Sequence, residues 1–179
     1  MRMSGVSLIE LLVTVMVSSI LLTIGFPSLA AMIDSSHLTA ATNSFVSSLR
    51  LTRSEAIKRN GRAVMCSSSD GLACAESGGW HQGWIIFHDA NNNADVDEDE
   101  SVVLHLTGFK KELRLRGNSP VSRYISYVPM GTTRMTSGAI QAGTLTVCMK
   151  SASSSHGRSI IINSTGRARV TRNEGVSCA

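Results

Sequence analysis

The chain has 179 residues, 42% hydrophobic, 17% charged and 4% aromatic, with a formal net charge of +4. This is about one domain's worth of chain, and the composition excludes intrinsic disorder, a collagen-like repeat and a multi-span membrane protein. The averages conceal segregation: residues 1–62 carry net +3, residues 63–109 hold eight acids and no Lys or Arg, and residues 110–179 hold eleven basic and two acidic groups, net +9. A basic face attracts polyanions whatever the global balance, so the charge has to be read by region.

Residues 11–33 form a run of 23 without a charge, rich in Leu, Val and Ile. About 20 apolar residues cross a bilayer as a helix, and Arg2 ahead of the run keeps the amino end cytoplasmic. An ordinary secretory signal peptide has a shorter apolar core, about 7–15 residues, with a small-x-small cleavage site close behind. It also has no use for a glutamate at the start of the run. Here that glutamate is Glu10, in the stretch Gly5-Val6-Ser7-Leu8-Ile9-Glu10-Leu11-Leu12-Val13. A carboxylate in this setting costs about 2.5–3.5 kcal/mol on insertion scales, so it needs either a purpose or a place at the headgroup level.

The stretch resembles the class III leader of type IV pilins and pseudopilins, in which cleavage follows a Gly and a Glu is the fifth mature residue. The resemblance implies a leader of residues 1–5 cut after Gly5 by a prepilin peptidase. It also implies N-methylation of Val6, which stands where the family usually has Phe. Glu10 would then pair with the amino terminus of a neighbouring subunit as both enter the filament core. Pro27 lies where family members kink or open the helix.

The helix continues beyond the apolar run. Leu38, Ala41, Phe45, Leu49, Thr52 and Ala56 recur at the spacing of one helix face, and Asn60-Gly61 is a stop signal. From Val6 to Arg59 the helix would run roughly 80 Å at 1.5 Å per residue, bent or locally opened at Gly25 and Pro27. Residues 6–33 would anchor and assemble, residues 34–61 would pack on a head, and residues 62–179 would form that head.

After Gly61 the pattern turns to short β-like runs at 63–66, 84–88, 101–106, 112–116, 124–128, 144–149, 159–163 and 167–171, separated by Gly, Asn, Ser and Pro clusters. One long helix followed by an antiparallel sheet is an α+β arrangement. Four cysteines lie beyond the apolar run, in an oxidising compartment on this topology. Three pairings are possible. We favour Cys66 with Cys74, closing a Ser/Asp/Gly loop, and Cys148 with Cys178, tying down the tail. No Cys-x-x-Cys spacing supports a metal site instead.

Three stretches narrow the resemblance to the FimT/FimU/GspH family of minor pilins. They are Arg53-Ser54-Glu55-Ala56-Ile57-Lys58-Arg59-Asn60-Gly61, then Gly79-Trp80-His81-Gln82-Gly83-Trp84-Ile85-Ile86-Phe87-His88-Asp89, and a late Gly166-Arg167. The family resemblance implies the type IV pilin fold, a long amino-terminal helix packed on an antiparallel sheet head. Its members include FimU-like initiators of pilus tips, GspH-like secretion pseudopilins and FimT-like proteins linked to DNA uptake.

Residues 89–100 mimic an EF-hand loop, with Asp89, Asn91, Asn93, Asp95 and Glu100 at ligand-like positions. Ala94 occupies the place that needs Gly, and the flanks read as strands rather than helices. A solvated acidic hairpin loop is the expectation, with calcium as the alternative. Catalysis has little support: His37, His81, His88, His105 and His156 form no metal spacing, and the serines lack a nucleophile-elbow context. His81, between two tryptophans, reads as a packed turn residue, and residues 150–157 read as a flexible loop. No cofactor is expected.

Gly166-Arg167-Ala168-Arg169 follows a turn at 163–166. In the strand after it, alternation would turn Ala168 and Val170 to the core and Arg167 and Arg169 to solvent, about 7 Å apart, which suits successive phosphates. Arg172, Arg158 and Lys150 are nearby in sequence. A solvated face that keeps the head soluble is the plain alternative. The Gly-Arg-x-Arg pattern resembles the DNA-binding motif of FimT-like competence pilins. That resemblance implies a minor pilin near the pilus tip whose head binds extracellular DNA for transformation. With few aromatics, base stacking is not expected. Phosphate contact with duplex DNA, without sequence preference and at about 10⁻⁴–10⁻⁶ M, is. Several heads at a tip would raise the avidity. A purely structural FimU-like or GspH-like subunit, in a pilus or a type II secretion pseudopilus, is the alternative. Other major and minor pilins, the inner membrane before assembly and double-stranded DNA are the implied partners. The amino terminus would be cytoplasmic and the head periplasmic, then displayed on the cell surface.

Overall fold

A computed structural model describes residues 7–109, 112–149 and 156–174, without the side chains of Ile24, His156, Asn173 and Glu174. Gly5, Val6, Lys150 and Cys178 therefore lie outside the described residues. The chain divides into two compact units, Met1–His37 and Leu38–Ala179. One helix, α1 (Leu8–Arg59), contributes to both.

In the first unit, the Ser7 hydroxyl accepts the Glu10 N–H at 3.3 Å and the Ser7 carbonyl accepts the Leu11 N–H at 3.1 Å, so Ser7 caps the helix. The hydroxyls of Thr14, Ser19 and Thr23 fold back onto the carbonyls of Leu11, Met16 and Ile20, each at 2.8 Å. These three hydroxyls are thus satisfied within the helix, as a helix in lipid favours. Its mean hydropathy reaches 2.2 and none of that window is buried, so it is long and apolar enough to cross a membrane. The helix runs through Gly25 and Pro27 without interruption. The local opening expected there is absent: a proline removes one backbone bond, and the flanking turns keep theirs.

The second unit begins with the remainder of α1. All six residues of the expected helix face are buried there, from Leu38 at 4% exposed to Phe45, Thr52 and Ala56 at 0%. The stop also works as the sequence suggests. Asn60 adopts φ +48°, and the Gly61 N–H reaches back to the Ala56 carbonyl at 3.2 Å, closing the last turn.

Eight strands follow: β1 (Arg62–Ser67), β2 (Gly83–Asp89), β3 (Val102–Thr107), β4 (Leu113–Gly117), β5 (Tyr124–Tyr127), β6 (Gly143–Met149), β7 (His156–Ile162) and β8 (Ala168–Glu174). Every expected strand is present. They form two four-stranded antiparallel sheets, β3-β2-β1-β5 and β4-β6-β7-β8, where the run of strands had suggested one. Strand β7 begins at His156, inside the segment expected to be loop, because His156 and Gly157 pair with Glu174 and Asn173.

One core joins the buried face of α1 to the inner faces of both sheets. Phe45 is its centre, meeting Trp80 and Trp84 edge-on with centroids 5.2 Å away in each case. Each indole is satisfied: Trp80 donates to the Val121 carbonyl and Trp84 to the Ser48 hydroxyl, both at 2.9 Å. Both tryptophans are thus committed to the interior. A second cluster lies on the other side of β1 and β2, where Val64, Cys66, Ile85 and Phe87 meet Ala94, with Cys74, Val96 and Tyr124 packed against them.

Cys66 and Cys74 are disulfide-bonded, as expected. Cys148 is also disulfide-bonded; Cys178, the partner that the sequence suggests, lies outside the described residues. The first bridge closes a loop with a sequence separation of 8 and pins it over the second cluster. Chain-entropy arguments put such a short loop at about 2–3 kcal/mol. Cys66→Ser with Cys74→Ser should lower stability by that amount in urea unfolding of the full chain in neutral detergent.

Candidate functional site

The Gly166-Arg167 pair sits in the hairpin between β7 and β8. The Asn163 side chain accepts the Arg167 N–H at 2.9 Å, the Asn163 N–H reaches the Arg167 carbonyl at 3.2 Å, and the Gly166 N–H reaches the Asn163 carbonyl at 2.9 Å. Gly166 has φ +76°, which favours glycine. A Cβ there would also drive into the Gly131 carbonyl and stand 2.8 Å from the Tyr127 ring. The Tyr127 hydroxyl donates to the Gly166 carbonyl at 3.1 Å. Burial pushes that phenol up to about 12, against a smaller opposing effect of Arg53. The hydroxyl therefore keeps its proton, and with it the bond that holds the hairpin.

This docking brings the hairpin to α1. A groove of about 240 Å³ opens between them, lined by Leu49, Arg50, Arg53, Tyr127, Gly166, Arg167 and Ala168. Arg50 and Arg53 stand one helical turn apart, on the edge of the buried stripe that carries Leu49 and Thr52. Opposite them, Gly131 at φ +71° gives Arg53 room, since a Cβ there would lie 2.9 Å from its Nε. The sequence reading missed Arg50 and Arg53 as site residues. The available signal was two arginines at i and i+3 beside a buried helix face.

The arginines expected to form one cluster divide between two faces. Arg169 pairs across β8 with Ile161, and Arg172 with Arg158, three positions on, so they point to opposite sides of the sheet. Arg158 donates to the Thr39 hydroxyl of α1 at 2.6 Å, which marks its side as the helix-facing one. Arg158 and Arg172 therefore do not share a surface with Arg169. Alternation keeps Arg167 on the side of Arg169, and Arg167 also borders the groove, so it links the two. Ala168 packs on the core as expected, whereas Val170 is 39% exposed because β8 is an edge strand. Lys150 lies outside the described residues. On the far edge, Arg114 and Arg116 of β4 lie in register with Cys148 and Thr146, on the outer side with Arg169 and about 14 Å across three strand spacings from β8.

The acidic loop joins β2 to β3, as a hairpin loop should, and much of it is exposed. Several of its side-chain oxygens accept hydrogen bonds from its own backbone. Asp89, itself buried, accepts the N–H groups of Asn93 and Ala94 at 3.1 Å, and Asn91 accepts that of Asn93 at 3.1 Å. Asn93 accepts the Asp95 N–H at 2.8 Å, and Glu100 accepts the Ala90 N–H at 2.7 Å. Among the described residues, no group of three or more His, Cys, Asp or Glu side chains is gathered as a metal needs. Ala94 takes the left-handed conformation, φ +63°, and is buried in the second cluster, folding the loop onto the sheet. Three histidines are packed separately against glycines: His81 at Gly79, His88 at Gly61 and His105 at Gly71. Burial holds His81 below its ordinary value.

The family model for GspH, described as type II transport protein GspH, matches residues 41–166. The chain belongs to the GspH family. No curated protein matches its sequence. Among solved structures, the chain is similar to the Pseudomonas aeruginosa PAO1 type IV minor pilin FimU, with a TM-score of 0.59 and 18% identity over 78% of this chain and 92% of that one. A second crystal form of FimU gives a TM-score of 0.52 at 20% identity, covering 75% and 92%. The minor pseudopilin EpsH from the type 2 secretion system of Vibrio cholerae gives 0.51 at 14% identity, covering 75% and 96%. The GspH-family chain thus has the fold of minor pilins, one long helix with an antiparallel head. Arg50, Arg53 and Gly166 fall within the GspH match, which ends at Gly166, so Arg167 and Arg169 lie just beyond it.

Proposed function

We propose that this GspH-family chain is a minor type IV pilin whose head binds double-stranded DNA through its phosphates, for uptake in transformation. In this reading the chain is made as a prepilin, cut after Gly5 and methylated on Val6. It is held in the inner membrane by the apolar part of α1, with the amino terminus cytoplasmic and the head periplasmic. Glu10 pairs with the amino terminus of a neighbouring pilin on assembly, and Pro27 gives the helix its point of adjustment in the filament. Other major and minor pilins are its assembly partners.

One observation carries the DNA reading. Arg167 and Arg169 are exposed, lie on one side of β8 and have no carboxylate partner among the described residues. Paired arginines with free guanidinium forks suit phosphate oxygens, and the basic carboxy-terminal third supplies the attracting field. The buried tryptophans leave phosphate contact, rather than base stacking, as the mode.

The test is fluorescence anisotropy of a labelled duplex with the full-length protein in neutral detergent. Arg167→Ala with Arg169→Ala should weaken binding at least tenfold at low salt and flatten the slope of log affinity against log salt by about 2. Binding unchanged by the double substitution would remove these residues from the interface. A folded wild type that binds no duplex at low salt would favour the structural alternative, a FimU-like or GspH-like subunit that primes a pilus or a secretion pseudopilus.

A further inference from the structure

We propose that the groove bounded by Arg50, Arg53 and Arg167 is a phosphate-binding pocket that seats one backbone phosphate of a bound duplex. The inference rests on the DNA reading for its ligand's source, and on the groove alone for its chemistry. Three arginines line one groove of about 240 Å³, and among the described residues no Asp or Glu lines it. Arg59 pairs with Glu55 and Arg123 with Asp95, and neither ion pair involves any of the three. None of the three side chains donates a hydrogen bond within the described residues either, so their donor forks are available.

The other walls fit the same ligand. Leu49 and Ala168 exclude water from one side, which strengthens a charge-assisted bond. The Tyr127 hydroxyl is committed to the Gly166 carbonyl and does not compete. Gly166 and Gly131, both in the left-handed region, let the hairpin and the 128–133 turn approach Arg53 closely. A single carboxylate offers two oxygens in one plane. A phosphate offers tetrahedral oxygens to donors arriving from two sides, as Arg50 and Arg53 do from α1 and Arg167 from the hairpin. Arg169, one alternation beyond Arg167, stands about 7 Å further along the strand, the step to the next phosphate. The track therefore runs from the outer side of β8, over the hairpin, and into the groove beside α1.

The experiment uses the full-length protein in neutral detergent with two probes, inorganic phosphate and a labelled duplex. Phosphate titration followed by amide NMR should shift Gly131, Gly166 and Arg167 saturably, and Arg50→Gln with Arg53→Gln should abolish those shifts. The same variant should weaken duplex binding at least about tenfold and lower the salt slope by about 1. Lys58→Gln with Arg59→Gln removes as much charge from the same helix outside the groove and should change affinity less than about twofold. Equal losses in the two helix variants would overturn the pocket, leaving a general field. Duplex binding that depends on Arg169 while phosphate shifts no groove amide would overturn the pocket and leave the DNA reading intact. Saturable phosphate shifts without duplex binding would sustain the pocket and overturn the DNA reading. A hexaglutamate peptide that shifts the same amides at lower concentration than phosphate would overturn the phosphate assignment in favour of an acidic protein surface. Urea unfolding of each variant shows that the head is intact.

Discussion

Phe45→Ala is expected to destabilise the head unit by about 3–5 kcal/mol. Phe45 is fully buried, and its ring is the shared partner of two edge-on contacts with Trp80 and Trp84. Its removal leaves a cavity against two large rings that cannot both move in. Trp80 is tied to the Val121 carbonyl and Trp84 to the Ser48 hydroxyl, so collapse would break hydrogen bonds. Aromatic pairs add about 0.5–1.5 kcal/mol each beyond buried area. Urea unfolding followed by tryptophan fluorescence reads the loss directly, since both indoles flank the deleted ring. Phe45→Leu keeps most of the volume and should cost well under half as much. A loss below about 1 kcal/mol for the alanine variant would mean that α1 is not keyed to the sheets through this residue.

Gly166→Ala is expected to cost about 2–4 kcal/mol, although it adds a single methyl group. Two penalties act together. The left-handed backbone at φ +76° is unfavourable for alanine, and the new Cβ would collide with the Gly131 carbonyl and the Tyr127 ring. Relief requires the hairpin to lift away from the 128–133 turn, which breaks the Tyr127 to Gly166 hydrogen bond. That movement would also carry Arg167 away from Arg50 and Arg53. The variant should therefore lose duplex affinity even where it remains folded, and Tyr127→Phe should show a milder form of both effects, about 1 kcal/mol in stability. Gly138→Ala is the matching control, because Gly138 has φ +84° with open space around its Cβ position. If Gly166→Ala unfolds no more easily than Gly138→Ala, the close approach of hairpin and turn is not what holds the site.

Much of this architecture is legible from local pattern. The buried face of α1 follows from a period of three to four residues, and all six residues that display it are buried. Asn60-Gly61 ends the helix because those residue types tolerate the left-handed turn that it needs. Each strand lies where alternating or continuous apolar runs meet Gly and Asn clusters, with ends shifted by a few residues. The acidic loop shows the limit of such reading. Its ligand-like spacing is real, and Asp89, Asn91, Asn93 and Glu100 use the same oxygens in hydrogen bonds to the loop's own backbone. Ala94 then becomes a buried contact, which spacing could not reveal.

By itself, the sequence determined the apolar amino-terminal helix, the eight strands, the stop after α1 and the two arginines following Gly166. These depend on periodicity, on backbone preference and on charge, all of which are read over a few residues. Only the tertiary structure decided that the strands form two sheets and that Arg158 and Arg172 face away from Arg169. It also decided that Arg50 and Arg53 stand beside the hairpin. Strand parity reverses a side chain's face with a one-residue change in position, so an arginine three positions along β8 is lost to the outer surface. The groove joins residues more than 100 positions apart in the chain, and it depends on a close approach at Gly166 and Gly131 that no local pattern encodes.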